Sequence, residues 1–394
     1  MKVKASPADF IVHEEADLAV STRRAAYAVF RLGKTSWDTF DLIDLLSRKW
    51  GVRREDISVG GIKDRHGSTE QTITVSGLKG RPESIHEKSF RLTFEGWSET
   101  PVSARDIRGN RFSITLRDLT AHEAGLIAAN APEVARDGIP NYYDTQRFGS
   151  ARHGAGFMGK EIFLGRREKA LRLYFTASKH DDRKTRALKR CVIENWGRWE
   201  KCAGTGFGEY GRILAYLAAH RSAYHQALER IDRRYLVFVL NAYQSFLFNE
   251  VLARWLKETA VETGTPLSAL RYPFGVFRFY HALPLVMTEK VRGLLLPVPG
   301  YDTTCADPLV GRILAEVLEE EGIGLPDLRI RQMHGIRVGG IERPAIIVPE
   351  DFSVASPEQD DQYPGRLKTV LGFFLPRGAY ATLVIKRLSL APAR

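Results

Sequence analysis

The sequence predicts an α+β protein in which a mixed-sheet domain is assembled from both ends of the chain and a largely helical α/β insertion lies between. Three observations predict it. Residues 1 to about 120 read mainly as alternating strands with one clear helix, apolar residues recur with the helical period between about 160 and 260, and strand-like patterns return near the C-terminus.

Taken in order, residues 27–32 read as a strand, and Thr35 and Asp38 stand in capping-box spacing ahead of a helix over 36–52. Phe40, Ile43, Leu46 and Trp50 fall on one face of that helix. Residues 71–76, the Phe90-Leu92-Phe94 alternation and the Phe112-Ile114-Leu116 alternation read as strands with one buried face. Leu236, Leu240, Tyr243, Leu247 and Val251 mark a long helix. Pro and Gly punctuation predicts an irregular stretch with short elements over 265–330, and strands are expected at 345–348 and 380–385. The acidic segment 356–362 reads as a surface loop. The expected division is a catalytic domain at 1–150 with 331–394 and an insertion domain at 151–330.

With 44% hydrophobic and 27% charged residues, the chain of 394 is neither disordered nor fibrous in composition. Its 58 Lys and Arg against 47 Asp and Glu give a net charge of +11, which favours a polyanionic partner such as nucleic acid. The excess concentrates in residues 166–190, where ten Lys and Arg face Glu168, Asp181 and Asp182, a candidate phosphate-binding patch. Cys191, Cys202 and Cys305 form no C-x-x-C pair and are odd in number, so neither a zinc site nor a disulfide framework is expected. The N-terminus lacks the apolar core of a signal peptide, and no apolar run of membrane-spanning length stands out. A reduced, cytoplasmic protein is therefore expected.

The run at 60–71 places Asp64 between Lys63 and Arg65 in a glycine-flanked turn, with the predicted helix before it and a strand after it. Alone, such a triplet is a solvated turn. It is not a P-loop, because the G-x-x-x-x-G-K-[ST] spacing is absent. Other stretches give it company: Pro7-Ala-Asp-Phe-Ile-Val12, Gly109-Asn-Arg-Phe112, Asn141-Tyr-Tyr-Asp-Thr-Gln-Arg-Phe-Gly149, Asn241-Ala-Tyr-Gln-Ser-Phe-Leu-Phe-Asn249 and Leu375-Pro-Arg-Gly-Ala-Tyr-Ala-Thr382. In this order and spacing, together with Gly61-Ile-Lys-Asp-Arg65, they resemble the TruD family of RNA pseudouridine synthases, and residues 150–159 resemble its archaeal and eukaryotic branches.

The resemblance implies a pseudouridine synthase catalytic domain carrying the family's insertion domain, with Asp64 as the catalytic aspartate. It also implies tRNA as substrate, uridine 13 as the target, and no metal or nucleotide cofactor. Phe10 and Tyr380 match substrate-contacting positions, where aromatic faces hold a base turned out of its stack. Asn110 matches another, its amide suited to a uracil edge, although a Gly-Asn pair is also a common turn. Lys4 aligns with a lysine suited to a phosphate or backbone contact, while Lys63 or Arg65 would keep Asp64 ionised or bind the adjacent phosphate. Arg147 would clamp a phosphate or buttress Asp64. His66 is set aside as an acid or base, because the reaction needs none. Gly67 stands where the family usually has alanine, which loosens the loop, and Asp144-Thr145 replaces the more typical Gly-Glu. A monomer without membrane association is expected. The alternatives are a non-catalytic RNA-binding or RNA-folding protein, a synthase acting elsewhere in tRNA or on another RNA, or a metal-dependent nuclease. The last would need clustered acidic ligands, and only isolated pairs such as Asp181-Asp182 are visible.

Overall fold

The computed structural model describes all residues except 65, 81, 152, 153, 179, 292, 331, 332, 334, 393 and 394. The chain divides into two compact units, one of Met1–Ile139 with Ile347–Pro392 and the other spanning Pro140–Ile346.

The first unit is built on a mixed sheet. Its main strands are β1 (Phe10–Ala16), β2 (Tyr27–Thr35), β3 (Ser68–Ser76), β4 (Phe90–Ser98), β5 (Ile107–Leu119), β6 (Glu350–Val354) and β7 (Leu367–Pro376), in the spatial order β6-β7-β5-β1-β3-β2-β4. β1 and β3 run parallel, Ile11 facing Ser68, while β5 is antiparallel to both of its neighbours. The two chain ends thus share one sheet.

Alternation explains the packing. Ala28, Phe30 and Leu32 of β2, with Ile73 and Val75 of β3, join Leu42, Ile43 and Leu46 of helix α1 (Thr39–Trp50) in one core. Asp38 is the residue that caps α1, accepting from the Phe40 amide at 2.8 Å. Thr35 ends β2 and takes no part, so the expected capping box is replaced by a single Asp cap. The helix stops at Gly51, whose φ of 62° is the left-handed C-terminal conformation.

On the C-terminal side, the expected strand over 380–385 is instead a helix, Ala381–Leu388. Thr382, Val384 and Ile385 favour strands locally, but Ala381, Val384, Ile385 and Leu388 share one helical face, and burial of that face decides the conformation. Helix α2 (Ala121–Asp137) holds its end: Asn130 donates to the carbonyls of Leu388 at 2.8 Å and Leu390 at 2.9 Å. Of the strand expected at 345–348, Ile346–Ile347 is formed.

Between β5 and β7, a Cβ at Gly109 would stand 2.3 Å from the Leu375 carbonyl oxygen, so this close approach admits glycine alone. The acidic segment 356–362 is not simply a surface loop. Asp360 is buried, because Arg117 on β5 donates to Asp360 Oδ1 at 2.9 Å, to Asp361 Oδ1 at 2.8 Å and to Asp9 Oδ1 at 2.8 Å. One guanidinium thereby joins the N-terminal segment, the central strand and the C-terminal segment.

The second unit is mostly helical and includes α3 (Arg167–Tyr174), α4 (Arg183–Glu194), α5 (Arg233–Thr263) and α6 (Pro308–Glu320). By length and composition α5 could cross a membrane, contrary to the expectation of no such stretch, yet 78% of its most apolar window is buried inside the protein. Segment 141–149 docks on it. Asn249 accepts from the Tyr143 amide and donates to its carbonyl, each at 2.8 Å, and Arg343 donates to Asn141 Oδ1 at 2.6 Å. These bonds carry 140–149 and the segment before Ile346 into the insertion unit, where boundaries at 150 and 331 were expected. Helix α6, capped by Asp307, gives the 265–330 region more order than its punctuation predicts.

The insertion unit also corrects the cysteine expectation: Cys191 and Cys202 form a disulfide, leaving Cys305 free. An odd count says nothing about a single pair. Here the turn after α4 folds the short helix Glu200–Ala203 back beside it.

Replacing Arg117 by Met leaves Asp9 and Asp360 buried without their cation. The urea transition of the sheet unit is expected to lose about 3–5 kcal/mol, and a shift well below that range would remove Arg117 as its clamp.

Candidate active site

The catalytic candidates of the first unit meet at the loop that leads into β3. Asp64 is half-buried; its Oδ1 accepts from the His66 amide at 2.9 Å and its Oδ2 is paired with Lys4 Nζ. Burial alone would push this carboxyl up, but the Lys4 ammonium and the His66 amide outweigh it and hold the group below its ordinary value. Asp64 is therefore a carboxylate at neutral pH.

Among the described residues the cation paired with Asp64 is Lys4, not its chain neighbour Lys63. Lys4 sits in the left-handed region at φ 61°, and its Nζ also lies 4.0 Å from the centre of the Phe10 ring. Phe10 is only 5% exposed and meets Phe112 edge-on at 6.1 Å. One ammonium thus rests against both the carboxylate and the aromatic ring expected to receive substrate.

Lys63 turns to a different set of partners. Its Nζ is 2.5 Å from Glu14 Oε2 and donates to Asn110 Oδ1 at 2.6 Å. The Glu14 side chain is fully buried on β1, where Phe10, Val12 and Glu14 share the inward face, and its Oε1 accepts from the Thr72 amide at 3.2 Å. Asn110 lies within β5, opposite Glu14 on one side and Leu375 on the other. It is not the turn residue that Gly-Asn suggests; its backbone is extended by pairing on both sides. Since an ammonium must face an acceptor, the amide oxygen is turned to Lys63, and Asn110 Nδ2 is left without a hydrogen-bond partner among the described residues.

The loop is held from beneath. Gln71 donates to the Gly61 carbonyl at 3.1 Å, and the buried Lys34 donates to the carbonyls of Trp37 at 2.8 Å and Asp64 at 3.0 Å, with that of Lys63 at 3.4 Å. Gly67 does not loosen the loop through unusual torsions. A Cβ there would stand 2.7 Å from the Phe10 carbonyl oxygen, so glycine permits the loop and β1 to touch.

Lys4, Phe10, Lys63, Asp64 and Asn110 are thus brought together. Tyr380 stands at the N-terminus of the Ala381–Leu388 helix, just beyond the end of β7, and is half-buried. Arg65 lies outside the described residues. Arg147 belongs to the insertion unit, where its Nε donates to Ser245 Oγ at 3.1 Å and its guanidinium is 5.6 Å from the Tyr143 ring; it makes no ion pair among the described residues. Glu14 and Lys34 were missed, yet each left a trace. Both are charges at the inward positions of otherwise apolar alternations.

Among the described residues no cluster of His, Cys, Asp and Glu has the makings of a metal site. The basic segment is partly consumed internally. Lys169 pairs with Glu161, Arg172 with Glu168 and Lys189 with Asp181, whereas Arg183 and Arg190 on α4 are exposed and form no ion pair among the described residues.

Comparison with known proteins gives one answer. The family model for tRNA pseudouridine synthase D (TruD) matches residues 1–388. The probable tRNA pseudouridine synthase D 1 of Methanococcus maripaludis is 29% identical over 399 residues, covering 98% of this chain and 99% of the relative. That of Methanopyrus kandleri is 30% identical over 93% of this chain and 86% of its own, and the Leptospira interrogans protein is 28% identical over 98% and 96%. The crystal structure of the putative tRNA pseudouridine synthase D from Methanosarcina mazei superimposes with a TM-score of 0.72 at 26% identity, covering 98% of this chain and 93% of that one.

If Lys4 is what keeps Asp64 ionised against its burial, Lys4→Met raises the Asp64 pKa. Titration followed at the Asp64 carboxyl carbon by NMR is expected to move to higher pH. An unmoved titration would assign the effect to the His66 amide.

Proposed function

The chain belongs to the TruD family of tRNA pseudouridine synthases, and on that premise we propose that it converts uridine 13 of tRNA to pseudouridine with Asp64 as the reacting carboxylate. One observation carries the reading. A half-buried, ionised aspartate shares the Lys4 ammonium with an aromatic ring, and its chain neighbour Lys63 orients an amide with spare N–H donors, on a loop fixed by the sheet.

The reaction breaks the bond from uracil N1 to the sugar, turns the ring, and joins C5 to the same sugar carbon. The hydrogen on C5 leaves to water as a proton and N1 takes up a proton, so the product is an isomer of the substrate. The base must first be taken out of its stack, and Phe10 and Tyr380 supply faces to hold it. Because Lys4 occupies the Phe10 face and the Asp64 oxygen together, substrate has to displace it, and an RNA phosphate is the natural new partner for its ammonium. Asn110, its oxygen committed to Lys63, offers N–H donors to a uracil carbonyl. Glu14 compensates the buried Lys63 charge, so Lys63 acts on Asn110 and not on RNA. Arg183 and Arg190, exposed and in no ion pair among the described residues, are available to phosphates.

Asp64→Asn is expected to lower tritium release from 5-tritiated uridine in a tRNA transcript by roughly 10⁴-fold or more while tRNA affinity is retained. Full turnover by the variant would sink the mechanism. A transcript carrying cytidine at position 13 should release no tritium, and undiminished release would move the target elsewhere. Charge reversal at Arg183 and Arg190 together is expected to weaken tRNA binding and flatten its logarithmic salt dependence by about two; an unchanged slope would take α4 off the RNA path.

A further inference from the structure

We infer that Lys34 is a positioning residue for the reaction, its buried ammonium fixing the backbone from which Asp64 is presented. The inference rests on the reading of Asp64 as the reacting carboxylate. Lys34 is 2% exposed, at the last inward position of β2 after Ala28, Phe30 and Leu32. A methionine would fill such a place at far smaller desolvation cost. What the ammonium does there is set by its three N–H donors, which meet three main-chain carbonyls: Trp37 at 2.8 Å, Asp64 at 3.0 Å and Lys63 at 3.4 Å.

Those carbonyls belong to two segments far apart in sequence. Trp37 is the residue before the Asp38 cap of α1, and Lys63 and Asp64 form the reactive loop. Thr39, the first residue of α1, adds its hydroxyl to the Lys63 carbonyl at 3.4 Å. The start of a rigid helix and the loop are therefore drawn to one cation. Lys34 makes no ion pair among the described residues, and burial pushes its ammonium down despite the nearby charges of Asp38 and Asp64. Carbonyl dipoles are what satisfy it. With the carbonyls of 63 and 64 held together, the two side chains are committed to separate tasks, Lys63 to Glu14 and Asn110, Asp64 to Lys4.

Two variants separate this role from packing. Lys34→Met keeps length and bulk but removes every donor, and Lys34→Gln keeps donors without charge. For Lys34→Met, kcat is expected to fall about 100-fold with KM little changed, since a shift of about 1 Å in a reacting group has that cost. Lys34→Gln should fall between Met and wild type. Hydrogen exchange at the His66 amide, which bonds the Asp64 carboxylate, should accelerate about tenfold or more in Lys34→Met, while the amides of β1 and β5 keep their protection. A wild-type kcat with unchanged His66 exchange would overturn the inference. So would a loss of activity in which protection falls evenly across the sheet, because Lys34 would then serve only the fold. Asp64→Asn, run alongside, tells the two readings apart: if it stays active the mechanism fails, but the exchange measurement still decides whether Lys34 holds the loop.

Discussion

A charge withdrawn from water must be matched where it is buried, and the sheet unit is arranged around that requirement. Lys34, Glu14 with Lys63, and Arg117 with Asp9 and Asp360 are all inward-facing groups on or beside the central strands. Each is answered by partners from a different stretch of chain, so each works as a cross-link whose geometry is specified by hydrogen-bond direction, where apolar contact would tolerate sliding. The loop bearing Asp64 inherits its position from two of them. Its backbone is set by Lys34 and its first cation by Glu14, and only then is Asp64 left to face Lys4.

This arrangement divides the cations by function. Lys63 is next to Asp64 in sequence but spends its charge on Glu14, and the amide of Asn110 is oriented as a result. Lys4, from the N-terminal segment, is the more exposed of the two. Asp64 is therefore held in its ionised form by the more exposed of the two lysines.

Much of the architecture was legible because it rests on periodicity. β2, β4 and β5 and the helices α1 and α5 follow directly from apolar alternation or the helical repeat. The segment after Tyr380 was misread because β-branched residues favour strands, while the deciding fact, burial against α2, is tertiary. The Asp64 loop, Phe10, Lys4, Lys63 and Asn110 were identified through motif resemblance, but their partners were not readable. Nothing local to Lys63 says that it will choose Glu14 over Asp64. Cys191 and Cys202 were likewise hidden, since their approach depends on how the chain turns after α4.

The sheet order also sets the order in which the site can come into being. β5 carries Asn110 and Arg117, and its outer neighbour is β7, made only after the whole of Pro140–Ile346 has been synthesised. On the ribosome, Lys4, Glu14, Lys63, Asp64 and Asn110 emerge early, with one edge of β5 open and Arg117 still lacking Asp360. The insertion unit, whose segments are contiguous, has what it needs to fold first. Tyr380 arrives last of all. The nascent chain thus presents Asp64 before β7 is available to complete the sheet beside β5.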